Sequence, residues 1–380
     1  MQPIRVFYDG SIYDIQKFGG INRYFKNLIH HFSGNVQSTL VLRERISDAP
    51  NDCNVKICQV PSWLAFQKSL RRSLEAWKAR KHFLNGKPDI VHATFNRNLT
   101  RDYFEFLKKG TSSPPLVVTI YDFTHEKFVE QIRHAERQVK WKSQAIKKAD
   151  GIICISRSTF EDLKKYHPGA ESKATVIYLS DELQDVEADV VEVGDWVESE
   201  FLLFVGGRND YKNFDGLLEA FKILGTQHES LHLICVGAPF GASESEKIKS
   251  FGLEQRVHCA GRVSDKGLKA LYERCAAFVF PSLYEGFGIP LLEAMGCGAP
   301  IVAAEHSCFK EISDGSAWLV DATVAESLAR GIERVLTDVS LREKLILRGR
   351  QRIKDFSWQR TAEQTEEFYR RQLQGCRDRS

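Results

Sequence analysis

Two carboxylates flank a glycine-rich loop within residues 280–300. Glu285 and Glu293 are separated by seven residues, in the order Glu-Gly-Phe-Gly-Ile-Pro-Leu-Leu-Glu, and Gly286 and Gly288 lie between them. Carboxylates accept hydrogen bonds from sugar hydroxyls, and backbone N–H groups beside glycines bind phosphate or sugar oxygens. One loop therefore has the chemistry to bind both the sugar and the phosphates of a single ligand.

The same loop leads into a predicted helix. Pro290 is a favourable first residue of a helix, which places Glu285 in the loop at the helix entrance and Glu293 in the first turn. The alternative for Glu293 is a side chain that only stabilises the positive end of the helix dipole.

Two cations follow a pair of glycines in the second half of the chain. Gly206 and Gly207 leave a predicted strand, and Arg208 and Lys212 come before a helix predicted from about Asp215. A guanidinium and an ammonium beside backbone amides form a good clamp for a diphosphate. The alternative is two solvated cations in a surface loop.

A similar glycine pair lies near the N-terminus. Gly19 and Gly20 directly precede a helix predicted from Ile21, where the helix dipole favours an anion. The spacing is not Gly-x-Gly-x-x-Gly, and no matching acid follows a second strand, which disfavours a dinucleotide-dependent dehydrogenase. A plain tight turn is the alternative.

Short β-branched runs alternate with amphipathic helical segments along the chain, and this pattern predicts parallel sheets. We expect these sheets to position the loops described above. The strands predicted in the first half are Ile4–Tyr8, Thr39–Leu42, Ile90–His92, Leu116–Ile120, Gly151–Ile155 and Thr175–Tyr178. Those of the second half are Phe201–Val205, Leu231–Val236, Val257–Cys259, Phe278–Phe280, Ile301–Ala303 and Trp318–Val320. Two consecutive doubly wound α/β domains fit this alternation, and such sheets bind ligands beyond the carboxyl ends of their strands.

An acidic segment separates the two predicted domains. Residues 181–200 contain nine Asp and Glu and no Lys or Arg, which is typical of a solvated linker. We therefore expect one domain over residues 1–180, a second over 201–356 and a C-terminal helix over 357–380. Without the nine acids the net charge of +3 becomes +12, which suits an enzyme that binds phosphorylated substrates.

The composition excludes several classes of protein. A net charge of +3 over 380 residues gives no argument for nucleic acid as a partner. The nine cysteines form no Cys-x-x-Cys pair, so we expect buried free thiols in a reducing compartment. Arg5 and Asp9 interrupt what would be the core of a signal peptide, and we expect a cytoplasmic protein.

The motifs together resemble those of the retaining glycosyltransferases of family four. The resemblance rests on Glu285 and Glu293, on the loop with Arg208 and Lys212, and on the sequence Gly-Gly-Ile-Asn-Arg-Tyr from Gly19. It covers essentially the whole chain and implies the GT-B fold, in which two Rossmann-like domains face a central cleft and a closing helix returns to the first. The chain looks most like the bacterial mannosyltransferase-like branch of surface polysaccharide synthesis.

The resemblance implies a role for each matching residue. The implied donor-binding residues are Gly19, Gly20, Gly207, Arg208, Lys212, Arg262, Val263, Glu285, Gly286, Phe287, Gly288 and Glu293. The implied catalytic residues are Asp122, Arg208, Lys212 and Glu285. Glu285 and the amides of Phe287 and Gly288 would hold the donor sugar, and Glu293 would bind the ribose hydroxyls. The two cations would neutralise the diphosphate, the early glycine pair would face it from the other domain, and the turn with Arg262 would border the base.

The chain departs from the family on the acceptor side. Many members have His-Asp after the strand that matches Leu116–Ile120, whereas this chain has Tyr121 and Asp122, with His125 nearby. These three residues are the expected acceptor-side group, and the departure leaves open which of them touches the reacting sugar.

The implied reaction moves a hexose from a nucleotide diphosphate sugar to a hydroxyl of a glycan or lipid-linked glycan, with retained anomeric configuration. GDP-mannose is the first expectation for the donor and a UDP-hexose the second. We expect no cofactor, and the absence of Asp-x-Asp from the sequence disfavours a metal bridge to the diphosphate. The two cations and backbone dipoles would then stabilise the leaving group.

Other function classes share this two-domain plan. Nucleotide-sugar epimerases and phosphorylases are one alternative, and a phosphorylase would show the colour of a lysine-linked pyridoxal group. A non-catalytic nucleotide-sugar-binding subunit is another, and it would not hydrolyse the donor.

Two segments combine an apolar stripe with cations. From Pro61 to Lys81, with six Lys or Arg against one acid, apolar residues recur at three- and four-residue spacing. These residues are Trp63, Phe66, Leu70, Leu74 and Trp77. Val129–Lys148 is similar, with six cations against two acids. Each stripe either packs on the first sheet or rests on an anionic membrane, where each cation contributes about 1 kcal/mol; the latter would bring the enzyme to the inner membrane face.

Overall fold

The protein consists of two compact units. The computed structural model describes residues 2–16, 19–44, 46, 49–50, 52–58, 68–96, 114–184, 186–189, 198–225 and 227–377. One unit comprises Met1–Leu179 and Trp358–Ser380, and the other comprises Ser180–Ser357. The C-terminal helix is thus part of the first unit.

The first unit is built on a parallel sheet, of which the described residues form seven strands. These are β1 (Ile4–Tyr8), β2 (Val36–Leu42), β3 (Asn54–Ile57), β4 (Ile90–Ala93), β5 (Leu116–Ile120), β6 (Gly151–Cys154) and β7 (Ala174–Val176). Their order across the sheet is β3-β2-β1-β4-β5-β6-β7. The order reverses between β1 and β4, which makes their carboxyl ends the switch point where such sheets bind ligands.

Helices accompany this sheet, and the last one returns to it. The described helices are α1 (Gly20–His30), α2 (Lys68–Gly86), α3 (Thr124–Lys127), α4 (Ala135–Lys148), α5 (Arg157–Tyr166) and α13 (Trp358–Arg377). On α13, the hydroxyl of Tyr369 lies 2.6 Å from Nδ1 of His92, whose Nε2 lies 2.8 Å from the hydroxyl of Thr119. This buried network ties the C-terminal helix to β4 and β5.

The second unit has the same plan. Its described strands are β8 (Phe201–Val205), β9 (His232–Val236), β10 (Val257–Gly261), β11 (Ala277–Phe280), β12 (Ile301–Ala304) and β13 (Trp318–Val320), in the parallel order β10-β9-β8-β11-β12-β13. Its helices are α6 (Phe214–Leu224), α7 (Ala242–Ser250), α8 (Asp265–Arg274), α9 (Ile289–Cys297), α10 (Phe309–Ser313), α11 (Ala325–Thr337) and α12 (Val339–Arg352). Buried Leu217 and Phe221 of α6 and Ile332 of α11 belong to one core with Leu233 of the sheet.

The predicted solvated linker is wrong for its first residues. Asp181 and Leu183 are buried in the second unit. Lys269 of α8 donates hydrogen bonds to the carbonyls of Leu183 and Gln184, each at 3.3 Å. An acidic run can therefore begin inside a folded unit, because a leucine within it finds an apolar site. Residues 190–197 of the predicted linker lie outside the described residues.

The segment Val129–Lys148 forms a continuous helix over only part of its length. α4 begins only at Ala135, and the preceding residue, His134, has a positive φ of 63°. Left-handed backbone does not continue into a preceding helical turn, so the helix has to begin there. Val129 belongs to a separate turn and is 42% exposed.

Candidate active site

The loops with most of the predicted site residues leave neighbouring strands of the second unit. β8 and β11 pair directly, with Leu203 opposite Phe278, and the strand order reverses between them. Their carboxyl ends therefore form the switch point of this sheet. The N–H of Leu283 donates to the carbonyl of Tyr211 at 2.8 Å, which ties the two loops together.

Lys212 and Glu285 meet at this point. Lys212 Nζ donates to Glu285 Oε1 at 2.5 Å, and the two side chains are only 20% and 14% exposed. Lys212 ends a short 3₁₀ turn before α6, and Glu285 lies in the loop before α9. The structure thus joins two of the predicted catalytic residues, which are 73 positions apart in the sequence.

The backbone of Glu285 is held from a third loop. Its N–H donates to Oγ of Ser307 at 3.2 Å, and the Ser307 hydroxyl donates to the Glu285 carbonyl. Ser307 follows β12, the strand next to β11. Both the side chain and the main chain of Glu285 are therefore positioned.

Two nitrogens of the Arg208 guanidinium, Nε and Nη2, are hydrogen-bonded to protein groups, whereas the buried Nη1 has no hydrogen-bond partner among the described residues. Its side chain is 5% exposed, and Nε donates to Oε1 of Glu244 at 2.7 Å. Nη2 donates to the carbonyls of Ala238 and Pro239, at 2.6 and 2.9 Å, and the guanidinium lies over the ring of Phe240. Burial opposes ionisation of Glu244, yet the hydrogen bond from Arg208 holds its pKa below the usual value. Contact between Arg208 and a diphosphate stays a prediction.

The glycines of the candidate site have two different roles. Gly206 and Gly207 leave open space beside the backbone, and Gly288 adopts a left-handed conformation. A Cβ on Gly206 or Gly207 would have no atom within 4 Å, so the surface of the loop after β8 is open. Gly288 has a φ of +85°, and a Cβ there would lie 3.3 Å from the ring of Phe280. Gly288 precedes α9, whose positive dipole end favours an anion beside the loop.

The rest of that loop is buried. Gly286 has a buried position, and the side chain of Phe287 is 3% exposed. The Phe287 ring packs edge-on against Phe356, with centroids 6.0 Å apart. The buried residues Gly286 and Phe287 thus fix the course of the loop between Glu285 and α9.

Glu293 lies deeper in α9 than expected. The helix begins at Ile289, so Glu293 is its fifth residue and the prediction of a first-turn position is wrong. Glu293 is 6% exposed, and Oε2 accepts a hydrogen bond from the hydroxyl of Tyr272 on α8 at 2.9 Å. Burial and the negative charge of Glu293 raise the pKa of Tyr272 well above its usual value. The binding of a ribose by Glu293 stays a prediction.

Arg262 and Val263 lie at the same edge of the sheet but farther along it. They follow β10, which is two strands from β8. Arg262 is exposed and Val263 is half-buried. Their contact with a nucleotide base stays a prediction.

The first unit also places polar groups at its switch point. Asp9 follows β1, and its Oδ1 accepts hydrogen bonds from both the N–H and the hydroxyl of Thr94, after β4, each at 2.8 Å. α1 begins at Gly20, preceded by the extended residue Gly19. A Cβ on Gly20 would have no atom within 4 Å, so this helix start is open.

Tyr121, Asp122 and His125 come together after β5. Burial raises the pKa of Tyr121 well above its usual value. Burial also opposes ionisation of Asp122, but Lys142 and the N–H of Thr124, which donates at 2.9 Å, lower its pKa. Burial lowers the pKa of His125 against the opposing charge of Asp122, so its imidazole is neutral at pH 7.

Lys142, one of the six cations of Val129–Lys148, is a residue at this loop that the sequence motifs did not single out. Its side chain is only 7% exposed. Nζ donates to Oε2 of Glu126 and to the carbonyl of Asp122, both at 2.7 Å. Lys142 therefore supports the acceptor-side loop from α4.

The described residues hold no group of three or more His, Cys, Asp or Glu that could bind a metal ion. Eight of the nine cysteines have described side chains, and all eight are free thiols. Five of these are buried, which fits their apolar surroundings. No helix in the described part of the chain is long and apolar enough to span a bilayer.

Two family models match the chain, one for each half. "Glycosyltransferase Family 4" matches residues 18–179, and "Glycosyl transferases group 1" matches residues 188–352. Each match lies within one unit and covers most of it. The chain belongs to glycosyltransferase family 4. The prediction of the family is confirmed.

A curated relative of this family 4 chain is O-antigen chain mannosyltransferase B of Escherichia coli. It is 30% identical over 173 residues, which are 45% of each chain. The match thus spans less than half of that relative's length.

Solved structures show that this family 4 chain has the GT-B fold. Sucrose-phosphate synthase of Thermosynechococcus elongatus aligns with a TM-score of 0.76 at 19% identity, over 99% of this chain and 100% of the other. HepE of Anabaena, in complex with UDP-glucose, aligns with a TM-score of 0.74 at 18% identity, over 96% and 98% of the two chains. The predicted GT-B class is confirmed.

Proposed function

We propose that the protein is a retaining hexosyltransferase that uses a nucleotide diphosphate sugar and no metal. The observation that supports this best is the meeting of Lys212 and Glu285 at the switch point of the second unit. An ammonium can neutralise a diphosphate, and a carboxylate beside it can accept hydrogen bonds from a sugar hydroxyl. The membership in family 4 supports the same reaction.

In the proposed reaction, a hydroxyl of the acceptor attacks the anomeric carbon as the bond to the nucleoside diphosphate breaks, and the hydroxyl proton passes to the leaving diphosphate. The attack comes from the face that the leaving group vacates, so the anomeric configuration is retained. Negative charge grows on the leaving diphosphate, and Lys212 together with the dipole of α9 would stabilise it. Arg208 would share this work if its guanidinium reaches the phosphates.

The expected donor is GDP-mannose, with a UDP-hexose second. The mannosyl group is supported by the relative named O-antigen chain mannosyltransferase B, and the nucleotide sugar by the UDP-glucose complex of HepE. A thermal-shift panel of GDP, UDP, ADP and their sugars tests this, because a ligand that binds the folded state raises the melting temperature. A shift with none of them would contradict the proposal.

The proposed acceptor is a glycan or a lipid-linked glycan, and the proposed place of action is the membrane surface. Leu70 and Trp77 of α2 are 51% and 55% exposed, whereas Ala79 and Phe83 are buried. The acid of this helix, Glu75, is also buried and pairs with Arg43 at 3.3 Å. The described solvent face therefore carries exposed apolar residues together with the exposed cation Lys81, a combination that suits anionic lipid.

A further inference from the structure

Ser307 has a backbone conformation that costs free energy. Its φ is +58°, in the left-handed region that residues other than glycine rarely adopt. Such a residue persists when its surroundings compensate for it, and this is common at functional sites. The compensation here is visible in the hydrogen bonds of its hydroxyl.

The Ser307 hydroxyl bonds to both backbone groups of Glu285. Its Oγ accepts from the Glu285 N–H at 3.2 Å, and its O–H donates to the Glu285 carbonyl. Residue 285 is beyond the end of β11, so the sheet offers these groups no partner. The serine therefore takes the place of a neighbouring strand.

The flanking side chains hold the loop but not this peptide unit. Tyr284 and Phe287 are each 3% exposed and anchor the chain on either side of Glu285. The Glu285 carboxylate is directed by Lys212. Displacement of the peptide unit would move the carboxylate away from the ammonium and from any sugar beside it.

We infer that Ser307 is a positioning residue, which orients Glu285 for the donor sugar. The inference rests on the proposed function, in which Glu285 binds that sugar. Ser307 itself need not touch the substrate. It links the loop after β12 to the loop after β11, so the site draws on three neighbouring loops.

Ser307→Gly separates positioning from stability. Glycine adopts a φ of +58° without cost, so the relief of strain offsets the lost hydrogen bonds and the melting temperature should change little. Asp314→Gly is the matched control, because Asp314 is exposed, has a φ of +44° and caps the C-terminal end of α10. Ser307→Ala keeps the strained backbone and loses the hydroxyl. Unlike Ser307→Gly, it should therefore lower the melting temperature.

Two readouts are needed for each variant. Hydrogen–deuterium exchange of the peptide with Glu285 should become about tenfold faster in Ser307→Gly, and kcat/KM for GDP-mannose or UDP-glucose hydrolysis should fall about tenfold. Asp314→Gly should leave both within twofold of wild type. Unchanged exchange, or faster exchange with unchanged kcat/KM, would overturn the inference. A wild-type protein inert toward all nucleotide sugars would instead overturn the proposed function, and the exchange data would still test whether Ser307 holds Glu285.

Discussion

At the residue scale, both cations of the predicted diphosphate clamp are paired with carboxylates. Arg208 binds Glu244 and has a side chain 5% exposed, whereas Lys212 binds Glu285 and is 20% exposed. A phosphate therefore reaches Lys212 more readily. A diphosphate that binds this ammonium competes with Glu285 for it, and the released carboxylate is then available to sugar hydroxyls.

Replacement of Lys212 tests its role in the leaving-group step. Lys212→Ala should lower kcat by about 100-fold with a smaller change in KM, because the charge it faces grows as the bond breaks. Lys249→Ala, on the exposed face of α7, is the control and should behave as wild type. An effect on KM alone would contradict this role.

Replacement of Glu293 is expected to affect donor binding. This carboxylate is buried beside Tyr272. Glu293→Gln should keep the fold, since the Gln carbonyl can accept the same hydrogen bond from the tyrosine hydroxyl. Donor binding should weaken by about 1–3 kcal/mol through loss of a charge-assisted hydrogen bond. Calorimetric titration with the donor measures this, with exposed Glu254→Gln as the control. Unchanged affinity would remove Glu293 from the site.

The sequence predicted which loops meet but not what holds them in place. Lys212 and Glu285 each follow a strand, and the carboxyl ends of parallel strands share one edge. Ser307, Glu244 and Tyr272 have no motif of their own. Their contacts depend on strand order and helix packing, which a single sequence does not contain.

At the scale of elements, α2 buries a face other than its apolar stripe. The stripe prediction placed Leu70 and Trp77 on one face, and both are exposed. The prediction that this stripe packs on the sheet is therefore wrong for these two residues. The ring of Phe83 instead packs edge-on against Phe7 of β1, with centroids 5.3 Å apart. Trp63, Phe66 and the side chains of Lys68, Arg71 and Arg72 lie outside the described residues.

Because Leu70 and Trp77 of α2 are exposed, we expect the protein to bind anionic vesicles through this helix. The double variant Leu70→Ser and Trp77→Ser should lower co-sedimentation with anionic liposomes, and wild-type binding should fade as salt rises. Trp318→Ser with Leu347→Ser is the matched control, since these residues of the second unit are 36% and 59% exposed. Equal loss in both double variants, or no wild-type binding at low salt, would contradict membrane docking through α2.

Strands with strong patterns were predictable, and a weak edge strand was not. The prediction for the buried strand Leu116–Ile120 matches β5 at both ends. The half-exposed strand β3, Asn54–Ile57, was missed because it is short, contains a lysine and lies at the edge of the described sheet, beside β2. Edge strands receive little of the burial that makes a strand visible in sequence.

At the scale of the whole molecule, a buried histidine makes folding sensitive to acid. Burial lowers the pKa of His92 from 6.5 to about 3. As the pH falls below 6.5, His92 becomes protonated in the unfolded chain, but in the folded chain it stays neutral down to about pH 3. The free energy of unfolding therefore falls by up to ~1.4 kcal/mol per pH unit over that range. Burial lowers the pKa of His125 and His167 in the same direction.

Chemical denaturation between pH 7.5 and 5 measures how much His92 contributes to the pH dependence of the free energy of unfolding. His92→Gln should be less stable than wild type at pH 7.5, because it disturbs the bonds to Tyr369 and Thr119. Its free energy of unfolding should then decline less steeply as the pH falls. Parallel slopes for the two proteins would show that His92 does not contribute to the acid sensitivity.

The reaction proposed for this protein is the transfer of a hexose from a nucleotide diphosphate sugar with retention of the anomeric configuration. The most direct measurement is proton NMR of the first-formed sugar product, with GDP-mannose and UDP-glucose as donors and EDTA present. We predict release of the nucleoside diphosphate together with a sugar of the same anomeric configuration as in the donor. An inverted anomer, a requirement for added metal, or no consumption of any nucleotide sugar would contradict this reaction.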